Sequence, residues 1–162
     1  ALVLAKGVWQ RHFAPAVGSG IVVDQQIYRI ELADGVMPNE AAALLNSAWF
    51  ALACELGGRV NLGEGVLWLA AYELAKILLP DPRTLDAATR HELLSCFEAL
   101  AALPVVDTAE ALERPQQRVL DDMVFDRVGL PPAERDAART ALLDCLSGRR
   151  LRARTPIMTK EK

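Results

Sequence analysis

A chain of 162 residues, 52% apolar and 24% charged, has the size of one ordinary domain or two small ones and can bury a core without disulfides or metal. This balance excludes a disordered or collagen-like chain. The apolar runs, interrupted by Glu55, Glu73 and Lys76, fall short of the roughly 20 residues that cross a bilayer. A net charge of −3 at first argues against a nucleic-acid partner. The distribution matters more, because Arg149, Arg150, Arg152, Arg154, Lys160 and Lys162 face only Glu161 at the chain's end. Such a segment either neutralises phosphates or is a solvated helix end running into a flexible tail over 155–162.

The opening "ALVLAKGVWQRH" has no initiator Met and reads as a strand rather than a secretion signal, which suggests a piece of a longer protein. "GIVVDQQIYRIEL" is a second β-rich run after the turn residues Pro15, Gly18, Ser19 and Gly20. Its apolar residues do not alternate strictly, which predicts a bulge or break between Asp24 and Gln26. Asn39 then serves as the N-cap of a helix with Leu44, Ala48, Leu52 and Leu56 at four-residue spacing, and Leu45 and Trp49 beside them. Gly57 and Gly58 end that helix, as a left-handed cap requires.

After the glycine-spaced stretch "GGRVNLGEGV", "VLWLAAYELAKILLPDP" carries a short helical signal from Tyr72 to Lys76, stopped by Pro80 and Pro82. Three helical patterns follow. The first uses Leu93, Leu94, Phe97 and Leu100. The second is opened by Asp107 with Glu110 three residues on, carries Leu120, Met123, Val124 and Val128, and closes at Gly129. The third starts at Pro131 and Pro132 and repeats Ala138, Ala141, Leu142 and Cys145. The class is therefore α+β, a small mixed β/α unit over 1–82 followed by a three-helix bundle over 83–154.

The chemistry-bearing residues do not converge on a catalytic set. Cys54, Cys96 and Cys145 are odd in number, widely spaced and set among apolar neighbours, which fits reduced thiols in a cytoplasmic protein. His12 and His91 lack a partnered nucleophile or metal-ligand spacing. "VGSGIV" lacks the G-x-S-x-G of a nucleophile elbow. The glycine stretch lacks the G-x-x-x-x-G-K-[ST] of a phosphate loop and follows a helix where such a loop follows a strand. What it does carry is Arg59, a bidentate donor, and Asn61, a donor and acceptor, the residue types that read guanine and adenine edges. A second polar cluster, Lys6, Gln10, Arg11 and His12, follows the first strand.

The stretch Ala41 to Pro82 resembles the C-terminal target-recognition region of Taq-type adenine-specific DNA methyltransferases and their relatives fused to restriction activity. The matching residues are Leu44, Leu45, Asn46 and Ser47, then Leu69, Tyr72, Glu73, Leu74, Ile77, Pro80 and Pro82, joined through the glycine stretch. The β-rich runs upstream match in order, and "VLDDMVFDRVGLPPAERDAAR" is similar to the helical tail of such enzymes. The resemblance implies binding to double-stranded DNA by Lys6, Arg11, His12, Arg59 and Asn61, with Gly63 and Gly65 permitting close approach. It also implies methyl transfer from S-adenosylmethionine to a flipped adenine. The cofactor motif and the Asn-Pro-Pro-Tyr motif of that chemistry are not in this sequence, so no catalytic residue and no cofactor is assigned to it. An upstream methyltransferase domain would hold S-adenosylmethionine, and the isolated fragment would bind DNA weakly. The alternative is a protein interaction module docking another subunit through apolar helical faces, with no membrane role in either case.

Overall fold

The computed structural model describes residues 1–18, 20–60 and 65–154 of the chain, the side chain of Arg154 excepted. In chain order the elements are β1 (Leu2–Ala5), β2 (Gly7–Val8), β3 (Ile27–Ile30), α1 (Pro38–Leu45), α2 (Ala48–Gly57), β4 (Arg59–Val60), β5 (Leu67–Trp68) and α3 (Ala71–Leu74). A 3₁₀ turn at Pro82–Thr84 leads to α4 (Ala87–Ala101), α5 (Thr108–Leu112), α6 (Pro115–Arg127) and α7 (Pro132–Arg154). The fold is α+β, with two small antiparallel sheets. One pairs β1 with β3, and the other runs β2, β5, β4.

Lys6 couples the two sheets. Its amide donates to Gln26 O at 2.9 Å on the β3 side, and its carbonyl accepts from the Leu69 amide at 2.8 Å beyond β5. The expected break in the second β run is a turn in which the Asp24 carboxylate accepts from the Gln26 amide at 2.7 Å. Ahead of it, residues 21–23 form no strand and Val22 is exposed, because a run without alternation has no face to commit to a core.

The helix expected from Asn39 to Leu56 is two helices. The N-cap is Met37, whose amide donates to the Glu40 carboxylate at 3.0 Å, and Pro38 takes the first helical position. Asn46 ends α1. Its side-chain amide donates to Ala42 O at 2.8 Å and to Ala14 O at 2.9 Å, and its side-chain oxygen accepts from the Ala14 amide at 3.1 Å. Ser47 then caps α2, accepting from the Phe50 amide. The break rotates the stripe, so Leu56, placed on the core face by four-residue spacing, is 72% exposed.

No left-handed residue closes α2, because Gly58 is extended at φ −81° and ψ 173°. Glycine is needed there for space. A Cβ on Gly58 would lie 2.7 Å from Leu67 Cδ1, 2.9 Å from Leu69 Cδ2 and 2.9 Å from the Cys54 carbonyl oxygen, and that carbonyl is fixed in the helix. Gly58→Ala is therefore expected to lower stability by about 2 kcal/mol in a urea titration, the range of an overpacked core.

The second C-terminal helical pattern is also two helices, α5 capped by Asp107 at the Glu110 amide and α6 begun by Pro115. Gly129, at φ +76°, follows α6 as expected. A division near residue 82 separates the chain by secondary structure but not by core. Leu2, Leu4, Val8, Phe50, Cys54, Leu67 and Leu69 form one cluster. Ala48, Ala51 and Leu52 of α2 pack with Phe125, Leu142 and Leu146 in a second, and Ala43 and Leu44 of α1 pack with Leu93, Leu120 and Val124 in a third. The C-terminal helices thus close on α1 and α2 as well as on one another, with Leu93 of α4 packed against Leu120 and Val124 of α6. No described helix is long and apolar enough to cross a membrane.

Candidate nucleic-acid interface

The sheet of β2, β5 and β4 places Arg59 beside Trp68. Gly7, Trp68 and Arg59 lie in one cross-strand row, and Val8, Leu67 and Val60 in the next. Residues directly opposite share a face. Val8 and Leu67 are core residues, so the row of Arg59 and Trp68 looks outward. Lys6 precedes Gly7 on the far edge strand, and its carbonyl pairs with the amide of buried Leu69, so it stands outside the row of Arg59.

Arg59 sits among aromatic and charged groups supplied by α3 and the turn after it. Its guanidinium carbon is 5.7 Å from the centre of the Tyr72 ring, and Lys76 Nζ is 5.8 Å from the same centre. Tyr72 is 58% exposed. Arg59 Nε also meets Glu73 Oε1 at 2.8 Å, and Glu73 Oε2 accepts from the Ala70 amide at 2.8 Å. The Ala70 amide, helped by Arg59, holds the Glu73 carboxyl below its usual range, so Glu73 stays charged and fixes the arginine above α3. Lys6 makes a similar contact, its Nζ lying 4.9 Å from the centre of Tyr28, whose hydroxyl donates to Leu69 O.

The other candidates lie elsewhere or outside the described residues. Arg11 is exposed but donates from Nε to Val106 O at 3.1 Å, away from the partners of Arg59. His12 is not at the surface. Its side chain is 4% exposed, and Nε2 lies 2.8 Å from Glu55 Oε1. The opposite side of Glu55 receives Arg149, with Nε 2.7 Å from Oε2 and Nη2 2.6 Å from Oε1. Gly65 does adopt a left-handed φ of +66°, yet the room it leaves is taken by α7. A Cβ there would lie 2.7 Å from Arg149 O and 2.9 Å from Ala153 Cβ. Asn61 and Gly63 fall outside the described residues, as does Ser19 of "VGSGIV".

The buried group of His12, Glu55 and Arg149 is a feature the sequence reading did not assemble. Burial pushes the Glu55 carboxyl up, but hydrogen bonds from His12 and Arg149 and their charges outweigh it and hold the group below the usual carboxylate range. One signal was available, a lone Glu inside the apolar run "ALACEL", which a buried helix face accepts only with a partner. Arg149 was grouped with the basic end of the chain, but its side chain is 2% exposed. Arg150 meets Asp107 at 3.7 Å, and of the basic residues in that segment Lys160 and Lys162 lie outside the described residues.

Comparison with protein families, with curated proteins and with solved structures gave no match. The positions of the resemblance therefore stand on their geometry alone. Leu44, Leu45, Ser47, Leu69 and Pro82 are buried, Asn46 and Glu73 are occupied by backbone, and Leu74 and Ile77 pack on the first core cluster. Tyr72 differs from these in being exposed.

A second surface feature is an apolar groove of about 350 Å³ between the segment Phe13 to Ala16, α4 and the Leu103 to Val106 turn. Its polar neighbours Asn46, Gln117 and Thr108 are already bonded within the chain. Cys54 offers no nucleophile, since burial, reinforced by Glu55, pushes its thiol up to about 12. The described residues contain no group of three or more His, Cys, Asp or Glu placed to hold a metal.

Proposed function

We propose that the chain is the DNA target-recognition part of an adenine-specific DNA methyltransferase of the restriction-modification type, and that Arg59 and Lys76, with Tyr72, form its contact surface. The observation that carries this reading is the placement of Tyr72. It belongs to the motif of the resemblance, yet its ring stands in solvent with a guanidinium and an ammonium beside it. Packing does not account for an exposed aromatic at that position. Cations flanking an aromatic ring suit a phosphate backbone with sugar and base surfaces behind it.

S-adenosylmethionine would be bound by a catalytic domain outside this chain. The described residues do not fit it. Both sheets are short and antiparallel, and where β3 leads through Gly35 into α1, the helix N-terminus is already filled by the Glu40 carboxylate. No step of methyl transfer is therefore assigned to residues of this protein.

The test is binding of a short mixed-sequence DNA duplex at low ionic strength, by fluorescence anisotropy. Combining Arg59→Ala with Lys76→Ala should weaken binding about tenfold and reduce the slope of log K against log salt by about two. Unchanged affinity and slope would sink the proposal. The apolar groove favours a second reading, a module that docks a protein subunit. In that case the chain's association would involve Phe13 and Phe97 and would change little with salt.

A further inference from the structure

Arg149 joins four parts of the chain at one guanidinium. Nε and Nη2 donate to Glu55 at the end of α2, while Nη1 donates to Gly65 O at 2.5 Å and to Val8 O at 3.3 Å. Val8 belongs to β2, and Gly65 stands two residues before β5. One side chain of α7 thereby holds β2 and the approach to β5, neighbouring strands of the sheet that carries Arg59. The backbone makes the same joint a second time, because Gly65 lies against Arg149 O and Ala153 so closely that no side chain fits.

The sheet needs such a grip. Its strands are two residues long, and a few ladder bonds do not hold strands of that length in water. We propose that Arg149 is a positioning residue for the DNA-facing surface. It touches no DNA itself, and it fixes β2 and β5, and through β5 the row of Arg59 and Trp68, against α2 and α7. This rests on the DNA reading given above. It assigns the most buried cation among the described residues of the basic C-terminal segment to preorganising the interface rather than to neutralising phosphate, and a preordered surface loses less freedom on binding.

The test compares the intact chain with Arg149→Lys, which keeps the buried charge beside Glu55 but cannot reach Glu55, Gly65 and Val8 together. A second variant is Gly65→Ala, which pushes the approach to β5 off α7 without changing any charge. Amide hydrogen exchange and anisotropy with the short mixed-sequence duplex are read on both. The expected result is exchange about tenfold faster in β4, β5 and the Leu69 amide, beyond any rise in α4 and α6. DNA affinity should fall about tenfold with the salt slope unchanged. A salt slope lower by about one for a third variant, Arg149→Met, which does remove the charge, would mean that Arg149 meets a phosphate and would overturn the proposal. Exchange rising equally in the helices and the sheet, or affinity equal to wild type, would overturn it as well. If the wild-type chain binds no duplex at low salt, the DNA reading and the DNA role of Arg149 fall together. Sheet-selective exchange in that case supports the grip itself.

Discussion

Glu55→Ala should lower the stability of the chain by about 3–5 kcal/mol, a large share of what a domain of this size has. The carboxylate is 1% exposed and lies between two groups that are almost as buried, His12 at 4% and Arg149 at 2%. Removing it leaves a guanidinium that cannot shed its proton inside the protein, with two backbone carbonyls as its remaining partners. Arg149 must then stay as an uncompensated charge or swing out and abandon Val8 O and Gly65 O, and either course costs several kcal/mol. The pair Glu55→Leu with Arg149→Met, which removes both charges and keeps much of the volume, should cost clearly less than Glu55→Ala alone. Urea titrations of the three proteins at neutral pH check this, and equal losses for the single and double variants would contradict it. The pH dependence has a definite sign. Because Glu55 is held below its usual range in the folded chain, its contribution is complete above that range and is lost as pH falls through the lowered value.

Which parts of this arrangement could be read from the sequence follows from the range of the interactions involved. Asp107 capping Glu110, Gly129 after α6 and Pro132 opening α7 depend on residues within four positions of one another, and all three were legible. The break between α1 and α2 was not. It depends on Asn46 binding Ala14, 32 residues away, and on Asp121 accepting the Ala48 amide, 73 residues away. Periodicity saw one stripe from Leu44 to Leu56, although Ser47, whose side chain caps the Phe50 amide, is a cap residue legible at that point. The same limit applies to the candidate interface. Arg59 was singled out by residue type, and Tyr72 and Lys76 lay in a stretch with a helical signal, of which only Ala71–Leu74 is helix. Their meeting depends on β4 lying beside β5, which turns into α3 two residues later. His12 looked like part of a polar cluster because its partner Glu55 is 43 residues away. Arg149 looked like part of a basic tail because Glu55 is 94 residues away. A buried ion pair and a solvated charge are the same letters until the fold closes.

Asp121→Asn should remove most of a stability loss that the wild-type chain suffers as pH rises from about 4 to above 7. Asp121 is fully buried in α6. Its Oδ1 accepts from the Ala48 amide at 2.7 Å and from Gln117 Nε2 at 2.8 Å, and so supports the start of α2. Oδ2 has no hydrogen-bond partner, and the nearest cation, Arg139 Nε, is 4.0 Å away. Arg139 is also engaged by Asp122 and Asp136, which divide its charge. Burial therefore prevails over the two hydrogen bonds and the distant arginine, and pushes the Asp121 carboxyl up to about 7. A carboxyl raised in the folded state favours folding while it is protonated. Its contribution is full below the unfolded value, 3.8, and disappears as pH rises through about 7. The total is at most about 4 kcal/mol at the usual conversion. Asparagine keeps an acceptor for Ala48 and Gln117 and never ionises. The variant should match wild type within about 1 kcal/mol at pH 4 and exceed it by a few kcal/mol at pH 8. The Glu55 effect lies in a separate window, below the usual carboxylate range, so the two groups can be resolved in one pH series of urea titrations. If Arg139 instead holds Asp121 ionised, the order reverses. The asparagine variant is then the weaker protein at pH 8, and the two converge only in acid, where the aspartate protonates.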